Sequence, residues 1–313
     1  MDTLRIGFIG LGGICRQRHV PGLKRIEGVS LAVVANRSEE SSKKAAEEFG
    51  IPEICADWRE IIARKDIDAV VIGTWPYMHK EMSLAALAAG KHVFCQARMA
   101  MNLAEALAMR AAARASGLVA MLCPVPFGLR IDRTIARILR EGTLGAVRYV
   151  AVRSAQGLWR DPAAPLNWRK DIGLSGLNVQ TLGMYAEVVH RWFGPTHSLS
   201  AETFVYTPER RDASGVLTPV QVPDQVMVNA TMAGGVAVQY VVTGMAGCPC
   251  ETMDIWGEKG ALHYDVTADV LYSVGEKGEK TPVLIPAEEA YDAAQWRVEE
   301  DFINAIRRGS EYH

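Results

Sequence analysis

Residues 4–15 read Leu-Arg-Ile-Gly-Phe-Ile-Gly-Leu-Gly-Gly-Ile-Cys, and this stretch decides the fold of the first half of the chain. Leu4, Ile6 and Phe8 alternate as in a strand, the strand runs into Gly10-x-Gly12, and a helical pattern begins at Ile14. A dinucleotide pyrophosphate needs this order. Gly10 permits the tight turn, Gly12 and Gly13 let backbone approach phosphate, and the helix that follows offers unpaired N–H groups and a positive dipole end. The third glycine of G-x-G-x-x-G is replaced by Cys15, small enough for close helix–strand packing. The motif gains its force from the strand before it and the helix after it.

Outward from that motif, strand and helix alternate. Strands are expected at 4–9, 31–36, 69–73, 92–96 and 118–122, and helices at 14–26, 39–49, 78–89, 102–116 and 129–141. Gly50, Gly90 and Gly117 stand where helices should stop. This rhythm predicts a doubly wound parallel sheet, a Rossmann domain over 1–122. Past Gly145 the rhythm changes. A strand at 147–156 and a Pro- and Trp-containing loop to Asp171 precede a helix at about 177–193. Strands at 197–206, 224–232, 236–244, 251–256, 261–266 and 269–274 then alternate apolar and polar residues, and a last helix spans 287–308. Residues 123–313 therefore read as a C-terminal α/β domain on a large open, mainly antiparallel sheet.

The 313 residues suffice for two domains with cores of their own. A net charge of −2 offers no basic field to nucleic acid or to a membrane surface. No apolar run approaches the ~20 residues of a membrane helix. No secretory leader is visible at the start, and the six scattered cysteines read as reduced thiols, so a cytoplasmic location is expected. Cys248-Pro-Cys250 lacks a second Cys or His pair at zinc-like spacing, so no metal site is expected.

Five further blocks carry a resemblance. Val70-Val-Ile-Gly-Thr74-Trp-Pro-Tyr-Met-His79 is followed by Ala88-Ala-Gly-Lys-His-Val-Phe-Cys-Gln-Ala-Arg98, and later come Trp168-Arg169, Gly183-x-Tyr185 and Ile255-Trp-Gly-Glu-Lys-Gly260. Together they resemble the glucose–fructose oxidoreductase, inositol dehydrogenase and MocA (Gfo/Idh/MocA) family of NAD(P)-dependent sugar oxidoreductases, over nearly the whole chain. The resemblance implies hydride transfer between nicotinamide and a sugar, polyol or inositol-like hydroxyl or carbonyl. It also implies a homodimer or homotetramer paired through the exposed face of the C-terminal sheet, and a terminal helix beyond Tyr312-His313 that this sequence lacks. Thr74, Trp75, His79 and Gln96 match positions near the cofactor, His79 as a support of its loop, and Trp168 with Arg169 match substrate positions.

The departures from the pattern matter as much. The family's E-K-P, with its catalytic lysine, is Gln96-Ala97-Arg98 here, and D-x-G-x-H becomes Thr181-Leu-Gly183-Met-Tyr185. Tyrosine replaces that histidine in the branch that includes dihydrodiol dehydrogenase. Tyr185 is accordingly the proton-transfer candidate, sharing a helix face with Thr181 and Asn178. A phenol with an ordinary pKa of ~10 needs a cationic neighbour to become a better acid, and Arg98 is the candidate for that charge. The alternative for Tyr185 is a buried ring with a satisfied hydroxyl. His190, three residues after Glu187, reads as a solvated helix-face pair rather than an acid–base group. Trp75 and Trp168 suit either a sugar or nicotinamide pocket or the core.

At the end of the second strand NAD enzymes of this fold place an acid on the ribose; here stand Asn36, Arg37 and Ser38. Without the carboxylate a 2′-phosphate is not repelled, and Arg37 offers a planar fork suited to it, so NADP is expected ahead of NAD. The bland reading of Arg37 is a solvated loop. Two functions thus remain open: an NAD(P)-dependent oxidoreductase with a rearranged site, and a catalytically silent nucleotide-binding sensor that lost its chemistry with the lysine.

Overall fold

The computed structural model describes residues 3–123, 129–290 and 296–309. They divide into two compact units, one of 3–123 with Gly173–Gly176 and 296–309, the other of 129–172 with 177–290.

In the first unit β1 (Leu4–Ile9) enters the glycine turn, and a wide π-helical turn, Cys15–His19, leads into α1 (Val20–Lys24). Pro21 lies in the first turn of α1 and has no N–H to continue the regular ladder, which accounts for the expected single helix 14–26 being wider at its start. There follow β2 (Val29–Ala35), α2 (Glu39–Phe49), β3 (Glu53–Ile54), α3 (Trp58–Ala63), β4 (Ala69–Ile72), α4 (Pro76–Ala88), β5 (His92–Cys95), α5 (Leu103–Ser116) and β6 (Ala120–Leu122). The six strands form one parallel sheet in the order β3-β2-β1-β4-β5-β6. The order reverses direction between β1 and β4, and in such sheets ligands bind outside the strand C-termini at that point. β1 is buried on both faces, with Ile6 and Phe8 in one cluster and Ile9 in the other. Ser38 and Asp57 start α2 and α3 with reciprocal capping boxes, and α5 starts on Asn102.

The second unit opens with α6 (Asp132–Glu141) and β7 (Val147–Ala155). A short turn of helix, α7 (Ile172–Ser175), leads back into the first unit, where Gly176, at φ 64°, leaves no room for a Cβ beside the Met101 carbonyl. Then come α8 (Leu182–Phe193), β8 (Thr196–Phe204), the hairpin β9 (Glu209–Arg211) and β10 (Leu217–Pro219), β11 (Gln225–Met232), β12 (Ala237–Thr243), β13 (Cys250–Gly257), β14 (Gly260–Asp265), β15 (Val270–Val274) and β16 (Lys280–Pro282). Eight strands form a sheet in the order β16-β15-β14-β13-β7-β12-β11-β8, antiparallel except where β12 pairs β7. One face packs Val150, Val152, Tyr240 and Ile255 against Ile135 of α6 and Tyr185, Val188 and Val189 of α8. The other carries Tyr149 stacked on Trp256 at 5.0 Å, with Trp256 39% exposed.

Two expectations need correction. The helix expected from 177 begins at Leu182, because Gln180 adopts a left-handed φ of 56° and Thr181 becomes the N-cap. The helix expected from 287 is α9 (Val298–Arg308), opened by Glu299, Glu300 and Asp301 in its first turn, while 291–295 lie outside the described residues. Val298, Phe302 and Ile303 of α9 are buried in the cluster that holds Ile6 and Phe8. The division at 122/123 thus left α9 in the wrong domain: its apolar stripe completes one face of the parallel sheet. Tyr312 and His313 also lie outside the described residues. No described helix is long and apolar enough to cross a membrane.

Candidate functional site

Gly10 sits at φ 79°, and a Cβ there would lie 2.6–3.0 Å from Thr74, so the turn after β1 requires glycine. Its shape is fixed by four hydrogen bonds. Gly10 N donates to the Ala35 carbonyl at 2.8 Å, Gly12 N to the Gly10 carbonyl at 2.9 Å, Leu11 N to Asn36 Oδ1 at 2.7 Å, and Gly73 N to the Ile9 carbonyl at 2.8 Å. Cys15 does what the third glycine was expected to do and more. Its sulfur fills the space a Cβ on Gly73 would take, at 2.4 Å, and burial pushes its thiol up to about 12. Gly12 and Gly13 are different: a Cβ on Gly12 would make only an ordinary contact, and one on Gly13 would meet nothing within 4 Å. The protein's own packing does not demand these glycines. A ligand brought against the backbone here would, and the first N–H groups of a helix lack internal partners.

A cavity of about 490 Å³ opens on this turn, walled by Gly10, Gly12, Asn36, Arg37, Thr74 and Trp75 among others. Arg37 is exposed, its guanidinium 6.0 Å from the Trp75 ring, and among the described residues it has no carboxylate partner. Asn36 is fully used by the protein: Oδ1 accepts from Leu11, and Nδ2 donates to the Ser41 carbonyl at 2.9 Å. Ser38 caps α2, accepting from Ser41 N. The open glycines, the helix start and the exposed guanidinium fit a dinucleotide with its pyrophosphate at the turn.

Ile14, Gly13, Ser38, His79 and Gln96 lie outside the described wall of that cavity. His79, fully buried, holds it from beneath, with Nε2 3.0 Å from the Thr74 carbonyl and Nδ1 2.7 Å from the Arg98 carbonyl. Two carbonyls favour imidazolium, but burial outweighs them and lowers its pKa. Gln96 is also buried. Its amide faces Nε2 of His19, whose Nδ1 meets Glu299 of α9, and Trp296 Nε1 donates to the same carboxylate at 2.8 Å. Arg98 follows a cis peptide from Ala97 and belongs to the first unit.

Tyr185 belongs to the second unit, in α8, and is 3% exposed. Its hydroxyl is hydrogen-bonded with Glu251 of β13, and Ser154 of β7 lies beside it. Ser154 Oγ donates to Glu251 Oε1 at 2.6 Å and accepts from Thr181 Oγ1 at 2.8 Å, while Gln156 Nε2 donates to Glu251 Oε1 at 3.0 Å. Tyr185 and Thr181 are thus brought together as expected. The expected lowering of the Tyr185 pKa is not: burial, then the Glu251 carboxylate, push it well above the ordinary phenol value. Asn178 is not on the α8 face, since the helix starts after it. Its Oδ1 accepts from Gln180 N at 3.0 Å, and its buried Nδ2 has no acceptor among the described residues. Trp168 is half-buried with the exposed Arg169 guanidinium 4.4 Å from its ring. His190 is exposed and bonded to Thr196 Oγ1 at 2.8 Å.

Sequence reasoning missed Ser154, Gln156 and Glu251. Glu251 lay at the start of an expected strand, and only its register opposite Ser154 across β7 and β13 marks it.

Residues 4–123 match the family described as "Oxidoreductase family, NAD-binding Rossmann fold" (Gfo/Idh/MocA), and residues 133–263 its C-terminal domain. An inositol 2-dehydrogenase of Gluconacetobacter diazotrophicus is 30% identical over 78% of this chain and 73% of its own. Among solved structures, an oxidoreductase domain protein from Kribbella flavida superposes with a TM-score of 0.84 at 25% identity, covering 99% of this chain and 92% of that one. A levoglucosan dehydrogenase in complex with NADH and L-sorbose superposes with a TM-score of 0.82 at 24% identity, covering 100% and 91%.

Proposed function

The chain belongs to the Gfo/Idh/MocA family of oxidoreductases, and from that premise we propose that it moves a hydride between a nicotinamide dinucleotide, NADP(H) before NAD(H), and a hydroxyl or carbonyl of a sugar or polyol. The nicotinamide, when bound, takes or gives the hydride. The chain's residues must hold the substrate, exchange the hydroxyl proton and stabilise the developing alkoxide. Tyr185 exchanges the proton, and Thr181 and Asn178 orient the oxygen. Arg98 supplies positive charge where the family's lysine is absent, and Trp168 with Arg169 contact the sugar.

One observation favours this over a silent sensor: the buried Tyr185 hydroxyl meets the Glu251 carboxylate within a polar cluster of Ser154, Gln156 and Thr181. The Asn178 Nδ2 group supports it too, since buried donors without acceptors are rare and a substrate oxygen satisfies this one. NADP preference rests on the exposed Arg37 fork and on the amide in place of a carboxylate at Asn36. Gly12, Gly13 and Ile14 approach the phosphates, and Thr74, Trp75, His79 and Gln96 shape or support the cofactor loops. A homodimer or homotetramer paired through the sheet face of Tyr149 and Trp256 is part of the same reading, as is a cytoplasmic setting, which free thiols at Cys15, Cys55, Cys95 and Cys123 support.

The test is a screen of aldoses, ketoses, inositols and 3-keto-glycosides with both cofactors, followed by Tyr185→Phe on whichever substrate turns over. A loss of at least ~100-fold in kcat with cofactor affinity unchanged is expected, the lower range for removing a proton-transfer group. Tight cofactor binding without turnover of any panel member selects the sensor instead.

A further inference from the structure

Glu251 has no place in the motifs that define the family resemblance, yet three side chains converge on it. Ser154 Oγ and Gln156 Nε2 donate to one oxygen at 2.6 and 3.0 Å, and the Tyr185 hydroxyl is hydrogen-bonded to the same carboxylate. The placement is built into the sheet. Glu251 and Ser154 are direct partners of the antiparallel β7–β13 ladder, Gln156 follows the end of β7 on the same face, and Thr181 locks Ser154 from α8 at 2.8 Å. Tyr185 is buried, whereas Glu251 keeps part of its surface in solvent. The row therefore runs from an enclosed phenol to a residue that is not fully enclosed.

We infer that Glu251 is the proton-accepting partner of Tyr185, a positioning residue that fixes the phenol and takes its proton as the phenol takes that of the substrate hydroxyl. The inference rests on the oxidoreductase reading above. In alcohol oxidation the O–H proton of a secondary hydroxyl passes to Tyr185 Oη while the Tyr185 proton passes to the Glu251 carboxylate. The carbinol C–H bond breaks, its hydrogen leaves with both electrons to the oxidised nicotinamide, and the carbonyl forms. The substrate loses two electrons, the cofactor gains them, and one proton ends on Glu251, then in water. Reduction runs the same path backwards.

The relay removes a difficulty. Burial beside a carboxylate makes a standing phenolate unfavourable, so Tyr185 alone is a poor resting place for a proton vacancy. Passing its own proton on as it accepts another lets it work without ionising. Among the described residues a further ionisable group that acts on Tyr185 is Tyr264 of β14, whose hydroxyl donates to Asp269 Oδ1 at 2.7 Å; Asp269 in turn pairs with Arg130.

The experiment compares wild type, Glu251→Gln, Glu251→Asp, Tyr185→Phe and the Glu251→Gln/Tyr185→Phe double variant. With the best substrate of the panel, Glu251→Gln should lower kcat for alcohol oxidation ~100-fold with KM and cofactor affinity little changed, and erase the acidic limb of the kcat/KM–pH profile. Glu251→Asp should restore part of both, which a merely structural role does not predict. In the cofactor-free protein, tyrosinate absorbance read against pH should show one tyrosine ionising at lower pH in Glu251→Gln than in wild type. That difference should vanish when the double variant is compared with Tyr185→Phe. A Glu251→Gln enzyme with wild-type kcat and an intact acidic limb overturns the relay while the oxidoreductase reading stands, and so does an unmoved tyrosine titration. A wild type that turns over no panel member with either cofactor removes both.

Discussion

The backbone N–H of Leu11 donates to Asn36 Oδ1 at 2.7 Å, so the residue that ends β2 is the clamp on the glycine turn after β1. A carboxylate here could still accept from Leu11 but would lose the Nδ2 bond to the Ser41 carbonyl, so the amide suits both neighbours. The amide also adds no negative charge to the cavity wall next to Arg37.

The first prediction follows. Arg37→Ala should weaken NADPH binding about 10-fold or more, the loss of one charge-assisted contact worth ~1.5–3 kcal/mol, and leave NADH nearly unaffected. Asn36→Asp should keep the bond from Leu11 N while losing the one to the Ser41 carbonyl, and shift preference toward NADH by placing a negative charge where a 2′-phosphate would sit. Fluorescence titration with both reduced cofactors reads both effects. Equal losses for the two cofactors in Arg37→Ala would sink the preference.

What the sequence made legible, and what it hid, follows the range of the interactions involved. β1, β2, β4 and β5 are buried on both faces and bounded by glycine turns, so their apolar runs and stops are local signals. The six residues of α3 are too few for a helical period to show, although Asp57 and Glu60 already hold its capping box. The start of α8 turned on the left-handed Gln180, a conformation that glutamine does not advertise. In the candidate site the glycine turn and Tyr185 were readable from motif and resemblance. Glu251 was not: it meets Ser154 97 positions away, and only sheet register brings the two together. The same holds for Glu299, which closes on His19 from 280 positions away.

His79 yields a pH prediction. Its folded-state pKa lies below the ordinary 6.5 because burial disfavours the charged ring. The unfolded chain therefore takes up a proton first as pH falls. The stability tied to neutral His79 is fully present above about 6.5 and is lost progressively between there and the lowered folded value. His79→Gln should cost about 1–3 kcal/mol at neutral pH by disturbing the one hydrogen bond the neutral ring donates, to the Thr74 or the Arg98 carbonyl, and should unfold with a shallower dependence on pH in that window. Urea unfolding at several pH values between neutrality and mild acid reads the slopes; identical slopes would remove His79 as the source.

Lys170 and Asp224 make a buried pair in the second unit, Nζ to Oδ1 at 2.5 Å with side chains 1% and 0% exposed. The pair is a hub: Lys170 also donates to the Pro223 carbonyl at 2.9 Å, and Asp224 Oδ2 accepts from Tyr206 N at 2.8 Å and from Thr207 N at 3.2 Å. Lys170→Met strands a buried carboxylate and should cost about 3–5 kcal/mol. Adding Asp224→Asn removes the stranded charge while keeping an oxygen for Tyr206 and Thr207, so the double variant should be more stable than Lys170→Met. A double variant less stable than the single one, by urea denaturation, contradicts the pairing argument.

Gly10 and Gly12 stand two residues apart in one motif, and the structure gives them opposite reasons for being glycine. At Gly10 the backbone is left-handed and a methyl would meet Thr74 at 2.6–3.0 Å, so Gly10→Ala should destabilise the first unit by ~1–3 kcal/mol whether or not cofactor is present. At Gly12 the nearest atom to an added methyl is the Gly73 carbonyl oxygen at 3.6 Å, an ordinary contact. Gly12→Ala should therefore unfold within ~0.5 kcal/mol of wild type in the absence of ligand. Yet the methyl would occupy the approach that the pyrophosphate needs, and binding of either dinucleotide should weaken about 10-fold or more, the equivalent of ~1.4 kcal/mol. Melting curves with and without cofactor separate the two cases. Gly10→Ala lowers both melting temperatures together, whereas Gly12→Ala melts like wild type alone and fails to gain the stabilisation that bound ligand confers. If Gly12→Ala keeps the full cofactor-induced shift, the pyrophosphate does not lie against this turn.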